Sequence, residues 1–187
     1  MNEEIKAAII RVLPFVVLLT VFSIRVRQKK FNTAELGLQK PVSLIRSVWC
    51  WSAFLLFILA SEFTLYHLGL LEADKWNHTL LPSVIRITGA VILAPIAEEI
   101  LFRGILLNKL MQWKGNMHVA IFVQAVLFVM VHSFTYENTL SSNIGIAQTF
   151  IDAAIYGYAR FYTQSIYTPM AMHSTGNLIA TLERFIL

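Results

Sequence analysis

The sequence is poor in charge and almost without cysteine. Of its 187 residues, 15 are Lys or Arg and 11 are Asp or Glu, together 14%, where a soluble domain carries about 25%. One cysteine, Cys50, excludes an internal disulfide. It lies between Trp49 and Trp51 at the start of an apolar run, so it reads as a packed or lipid-facing thiol. No Cys pair or Cys/His cluster suggests a structural zinc site. Internal repeats, low-complexity tracts and interdomain linkers are also absent, which argues against a transporter built from inverted repeats. What the chain has instead is 57% hydrophobic residues and a mean hydropathy of +0.63. That is more apolar surface than one soluble core of this size can hide. A disordered chain, a collagen-like chain and a nucleic-acid-binding domain are all excluded. The expected fold class is all-α: a polytopic membrane helical bundle of about six transmembrane helices, forming a single membrane domain over residues 1–187.

A bilayer core of about 30 Å needs roughly 20 residues of helix. The first candidate span runs from about Ala7 to Ile24, with Pro14 as a possible kink. Acidic Glu3 and Glu4 precede it and basic residues follow it, so it reads as a retained helix rather than a signal peptide. The second starts near Ser47. The third starts near Pro82, a favoured first-turn residue, stays apolar through Leu101, and remains compatible with helix to about Gln112. The fourth covers about Met117 to Phe134. The fifth, about Ile144 to Tyr162, is interrupted by Gln148, Asp152 and Gly157. The sixth runs from about Pro169 to Leu182. Polar loops are expected at residues 71–81 and 135–143, and a turn at Trp113–Asn116.

The net charge is +4, and its placement suits a membrane rather than nucleic acid. Arg25, Arg27, Lys29, Lys30, Lys40 and Arg46 share one loop, as the positive-inside rule expects of a cytoplasmic loop. Placing the N-terminus outside puts ten basic residues inside against four outside. The expectation is an integral multi-pass protein of a bacterial cell membrane.

Ionisable groups within such helices are costly and face a bundle interior or a wet cavity. Arg11 lies near a helix end and can snorkel. Glu62 and Arg86, of opposite charge on neighbouring runs, are candidates for a structural pair. Asp152 could cap, pair or line a cavity. Glu98 and Glu99 are harder to explain as packing. Glu99 and Arg103 are i,i+4 and share a helix face, so an ion pair neutralises one carboxylate. Glu98 then points elsewhere, about 100° around the helix, as a candidate general base or metal ligand. Pro95 has no N–H, so in an α-helix the carbonyl of Val91 loses its partner, which favours a wet pocket there. If the third helix continues to Gln112 and the fourth starts at Met117, Glu98 and His132 both lie about 21 Å from the turn. They would then meet in an antiparallel hairpin, with Phe128 one turn before His132 as a wall. His173 and Asn177 are again i,i+4. An amide can stabilise an oxyanion, and a histidine can bind metal or hold a proton near neutral pH. His173 lies close to the expected start of its helix, however. It can reach Glu98 only if that helix begins inside the bundle or the hairpin projects beyond the membrane.

Three elements therefore stand in order: Glu-Glu-Ile-Leu-Phe-Arg (98–103), Phe-Val-Met-Val-His (128–132) and His-Ser-Thr-Gly-Asn (173–177). They resemble the EExxxR, FxxxH and HxxxN motifs of the CAAX protease and bacteriocin-processing (Abi) family of intramembrane proteases. The resemblance covers about residues 82–180, which would be the catalytic core. It implies an endopeptidase acting on membrane-associated peptides or proteins, in CAAX-type or leader-peptide processing. A non-proteolytic bacteriocin-immunity or membrane partner protein is the alternative. By this resemblance Glu98 and His132 would activate water, His173 and Asn177 would stabilise the oxyanion, and Glu99 with Arg103 would be structural support. Family members have also been described as metalloproteases, which would make Glu98, His132 and His173 zinc ligands. The chain has no HExxH, but a Glu/His/His site completed by water is chemically reasonable for zinc. The expected partners are the lipid bilayer and a peptide or membrane-protein substrate, with no nucleic acid. The substrate and the oligomeric state are not legible.

Overall fold

Asn2 and Ser43 cap the first two helices with their side chains, accepting from the backbone N–H of Glu4 and Arg46. In the computed structural model, which describes residues 2–70, 75–132 and 137–186, the regular structure is helical and runs in six lengths. These are α1 (Glu3–Arg27), α2 (Leu44–His67), a composite run from Leu80 to Lys114, α6 (Met117–His132), α7 (Leu140–Thr163) and α8 (Tyr167–Ile186). The composite run consists of α3 (Leu80–Thr88), a π-helical stretch (Gly89–Leu93), α4 (Ala94–Glu99), a second π stretch (Ile100–Leu106) and α5 (Leu107–Lys114). Residues 71–74 and 135–136 of the expected polar loops, and residues 133–134 of the expected fourth helix, lie outside the described residues.

Three lengths are long and apolar enough to cross a membrane: α1, α2 and Leu80–Trp113. Their apolar side chains are largely uncovered by protein, and Ala8 is the one buried residue of α1. α1 carries Glu3 and Glu4 in its first turn and Arg25 and Arg27 in its last, which suits the helix dipole at both ends. Pro14 lies within α1 without ending it. α6 is apolar, with 16 residues among those described. α7 and α8 carry the polar residues, and they pack on each other and on α2. Phe54, Ile58, Tyr156, Ala159 and Met172 form one buried cluster there. Phe102, Ala125, Phe128 and Ala153 form another.

The α1–α2 connection is more than a charged loop. Leu36 and Gly37 are buried in it, and it lies under the turn joining α7 to α8. Val42 N–H donates to Thr163 O, Ser165 Oγ–H to Gln39 O, and Ile166 N–H to Gly37 O. The start of α8 is consequently internal, with Ile166, Thr168 and Pro169 buried. Of the two ways for His173 to reach Glu98, the molecule uses the first: α8 begins inside the bundle.

Gly37 has φ +73°, and a Cβ there would lie 2.5 Å from Arg160 Cζ. Gly115, which ends the composite run at φ +64°, has open space around it. Left-handed backbone costs an L-residue roughly 1–2 kcal/mol. Gly115→Ala is expected to lose about that much, and Gly37→Ala more, because Arg160 must also move. Thermal unfolding of the two variants in the same detergent measures the difference.

Candidate active site

The two π stretches bracket the paired glutamates. The N–H of Ala94 reaches back five residues to Gly89 O, and that of Leu107 reaches back five to Phe102 O. Such wide turns recur at functional sites because they re-aim the side chains that follow. Continuing the first one would need the N–H of residue 95, and Pro95 has none. The sequence places the orphaned carbonyl at Val91 in an α register; the π register moves it to Ala90. Asn177 Nδ2 on α8 donates to Ala90 O at 2.7 Å. A carbonyl left without a helical partner is thereby satisfied from a neighbouring helix.

Glu99 and Arg103 are fully buried and bonded, Nη1 to Oε1, at 2.8 Å. Glu99 Oε1 also accepts from His173 Nδ1 at 2.9 Å. Arg103 Nη2 donates to Ala153 O on α7 at 3.1 Å. The guanidinium lies between two rings, 4.7 Å from the centre of Phe128 and 5.1 Å from that of Tyr156. Each ring in turn stacks on a histidine: Phe128 on His132 at 4.4 Å and Tyr156 on His173 at 5.2 Å. One arginine thus aligns both imidazoles through their aromatic neighbours.

The ring nitrogens are assigned by what they face. His132 Nδ1 lies 2.8 Å from Phe128 O, a carbonyl that can only accept, so Nδ1 carries hydrogen. His173 Nδ1 faces a carboxylate already paired with Arg103, so it too is the donor. Both Nε2 atoms turn toward Glu98 Oε2, at 3.8 Å from His132 and 3.7 Å from His173. These separations are too long for direct hydrogen bonds, and a water bonded to both groups would sit beside the line joining them rather than between them. Glu98 retains 14% of its side-chain exposure, against none for Glu99, so the adjacent carboxylates occupy different environments.

Glu98, His132, His173 and Asn177 line one cavity of about 360 Å³. Its opposite wall comes from α2 and α7 and carries Glu62, Gln148, Asp152 and Tyr156. Glu62 accepts from Gln148 Nε2 at 2.8 Å. Among the described residues it makes no ion pair with Arg86, the partner that opposite charge on neighbouring runs suggests. Gln148, Asp152 and Tyr156 follow at intervals of four, so one face of α7 supplies the wall. Of the three uses the sequence offers Asp152, the cavity wall is the one seen here; Gln148 shows in the sequence only as an interruption of an apolar run, and Tyr156 passes there as an ordinary core aromatic.

Carboxylate and imidazole are donors that zinc accepts, and each imidazole is backed by an acceptor, as in ligating histidines. The spacing fits less well. Donors about 2.1 Å from a tetrahedral zinc lie roughly 3.4 Å apart, somewhat closer than the 3.7 and 3.8 Å found here. Among the described residues no group of three or more His, Cys, Asp or Glu side chains is arranged to hold a metal ion.

Fold and site together define a polytopic helical membrane protein with a carboxylate–imidazole cavity inside its bundle. The family model for the Type II CAAX prenyl endopeptidase Rce1-like proteins matches residues 79–179, and the chain belongs to that family. One curated relative, an Escherichia coli protein described as an "Uncharacterized 24.3 kDa protein", is 33% identical over 92 residues. The aligned stretch covers 49% of this chain and 40% of the relative, so the chain spans less than half of that protein. No solved structure matches the chain.

Breaking a buried ion pair on one side costs about 3–5 kcal/mol, because the remaining charge is stranded. Arg103→Met is expected to destabilise the protein by that amount. Adding Glu99→Gln to it should recover part of the loss. Unfolding measurements on both single variants and the double variant provide the check.

Proposed function

We propose that the protein is an intramembrane endopeptidase that hydrolyses peptide bonds in membrane-associated peptides or proteins with a water activated by Glu98 and His132. The carrying observation is the convergence of the two Nε2 atoms on Glu98 Oε2, at 3.8 and 3.7 Å, in a cavity of about 360 Å³. The family description, a prenyl endopeptidase, favours a substrate with a lipid-modified cysteine near its C-terminus. Leader-peptide processing uses the same chemistry on a different chain.

In the first step Glu98 takes a proton from water as the oxygen attacks the scissile carbonyl carbon. The carbonyl π pair moves onto oxygen, and the oxyanion is stabilised from the His173 and Asn177 side. His173 donates from Nε2 in that role, so it holds a second proton. Glu98, Glu99, Arg103 and His173 are then neutral as a set, which a low-dielectric interior favours. The tetrahedral centre collapses, the C–N bond breaks, and the proton held by Glu98 passes to the leaving nitrogen. Products are a carboxylic acid and an amine. Asn177 offers its second amide hydrogen, since the first is used on Ala90 O. Were zinc bound, Glu98, His132 and His173 would hold it, and it would polarise the water and the carbonyl.

Removing the general base should cost at least about 10²-fold in kcat. Purified Glu98→Gln is expected to lose that much against a fluorogenic peptide ending in a prenylated cysteine and three further residues, or against a transmembrane leader peptide, with its unfolding temperature unchanged. Equal turnover by the variant and the natural chain contradicts the assignment. Activity is expected to survive exhaustive chelation, in keeping with the wide donor spacing. Loss on chelation and return with Zn²⁺ would make Glu98, His132 and His173 ligands instead.

A further inference from the structure

Tyr156 is buried deep in the bundle, at 3% exposure, in the contact between α7 and α8. Its ring is fully engaged. It stacks on His173, meets Phe54 edge-on at 5.2 Å, and lies under Arg103. Its hydroxyl makes no hydrogen bond to another described residue, and it is not sealed from solvent, since Tyr156 lines the cavity. A phenol with a packed ring and a wet polar tip is placed to donate to what enters. The hydroxyl lies over Gly176, where a Cβ would be 3.3 Å from it. Gly176 is three residues after His173 and adjacent to Asn177, and all three line the cavity that contains Glu98.

We infer that Tyr156 is a further catalytic residue, whose hydroxyl donates a hydrogen bond to the scissile carbonyl oxygen as it becomes the oxyanion. The inference rests on the endopeptidase assignment above and deepens it. Asn177 has committed one amide hydrogen to Ala90 O and offers only the other, so a third donor would add to that hydrogen and to His173 Nε2–H. Tyr156 supplies it from a ring that cannot swing away, because His173, Arg103 and Phe54 hold it on three sides. Preorganised donors of this kind need no reorganisation when charge develops, and removing one costs about 10²–10³-fold in kcat. The phenol proton stays on its oxygen throughout. The attacking oxygen and the transferred proton both come from water, and the proton ends on the leaving amine. A Cβ at position 176 would press on the hydroxyl, so Gly176 gives it room.

The test is Tyr156→Phe in the full chain, assayed beside Glu98→Gln with the same fluorogenic prenylated peptide. The ring contacts remain, so the unfolding temperature should be unchanged. kcat is expected to fall about 10²-fold with KM within about twofold. The variant should bind a phosphonate peptide analogue of the tetrahedral intermediate about 10²-fold more weakly, while binding uncleaved peptide as before. Natural turnover in Tyr156→Phe beside an inactive Glu98→Gln would overturn the role of the hydroxyl and leave the endopeptidase assignment standing. Full activity in Glu98→Gln would overturn that assignment and this inference with it. Loss of kcat and of unfolding temperature together would make Tyr156 structural and overturn the inference alone.

Discussion

Glu99 Oε1 accepts from Arg103 at 2.8 Å and from His173 at 2.9 Å, with no exposed side-chain surface on either member of the ion pair. Two ionised groups inside a membrane bundle persist only if each finds its partners there, because there is little water to supply them. That requirement ties three helices together. Glu99 and Arg103 belong to one helical run, Ala153 receives the second guanidinium nitrogen from α7, and His173 reaches in from α8. The same pair holds a hydrogen on His173 Nδ1 and leaves Glu98, its neighbour in sequence, to face the cavity. Arg103 extends the arrangement sideways through Phe128 and Tyr156 to both imidazoles.

The backbone around this pair departs from ideal helix in a way that serves it. A π turn and a proline together strand the carbonyl of Ala90, and Asn177 meets it from α8. α8 can do so because its first turn lies inside the molecule, held by the α1–α2 connection. A loop far from the chemistry therefore determines the depth at which His173 and Asn177 enter. Substitutions in residues 36–42 would act on the site through that placement rather than by contact.

Much of this is legible in the residues. Six helices follow from runs of apolar residues, and Glu99 with Arg103 follows from a spacing of four. Counting rise from the turn at 113–116 is enough to set Glu98 beside His132. The π stretches are not legible, because they differ from α-helix only in which carbonyl each N–H selects, and composition does not encode that. The His173–Glu99 bond joins residues 74 apart, which no local pattern reveals. The α1–α2 connection reads as a solvated basic loop because its charges outweigh the short buried segment at Leu36 and Gly37. Opposite charge alone suggests Glu62 with Arg86, yet Glu62 takes Gln148, since three-dimensional neighbours and not sign decide pairing. Tyr156 is hidden by being an aromatic in a core, where its ring needs no functional explanation and only its hydroxyl does.

The central claim is that Glu98 activates water and does not itself attack the substrate. A single turnover in H₂¹⁸O, followed by mass analysis of both the product and the peptide containing Glu98, tests it most directly. The account predicts one ¹⁸O in the newly formed carboxylate and none in Glu98. Label in Glu98 would mean that its own oxygen had entered the product through an acyl intermediate, and would contradict the account.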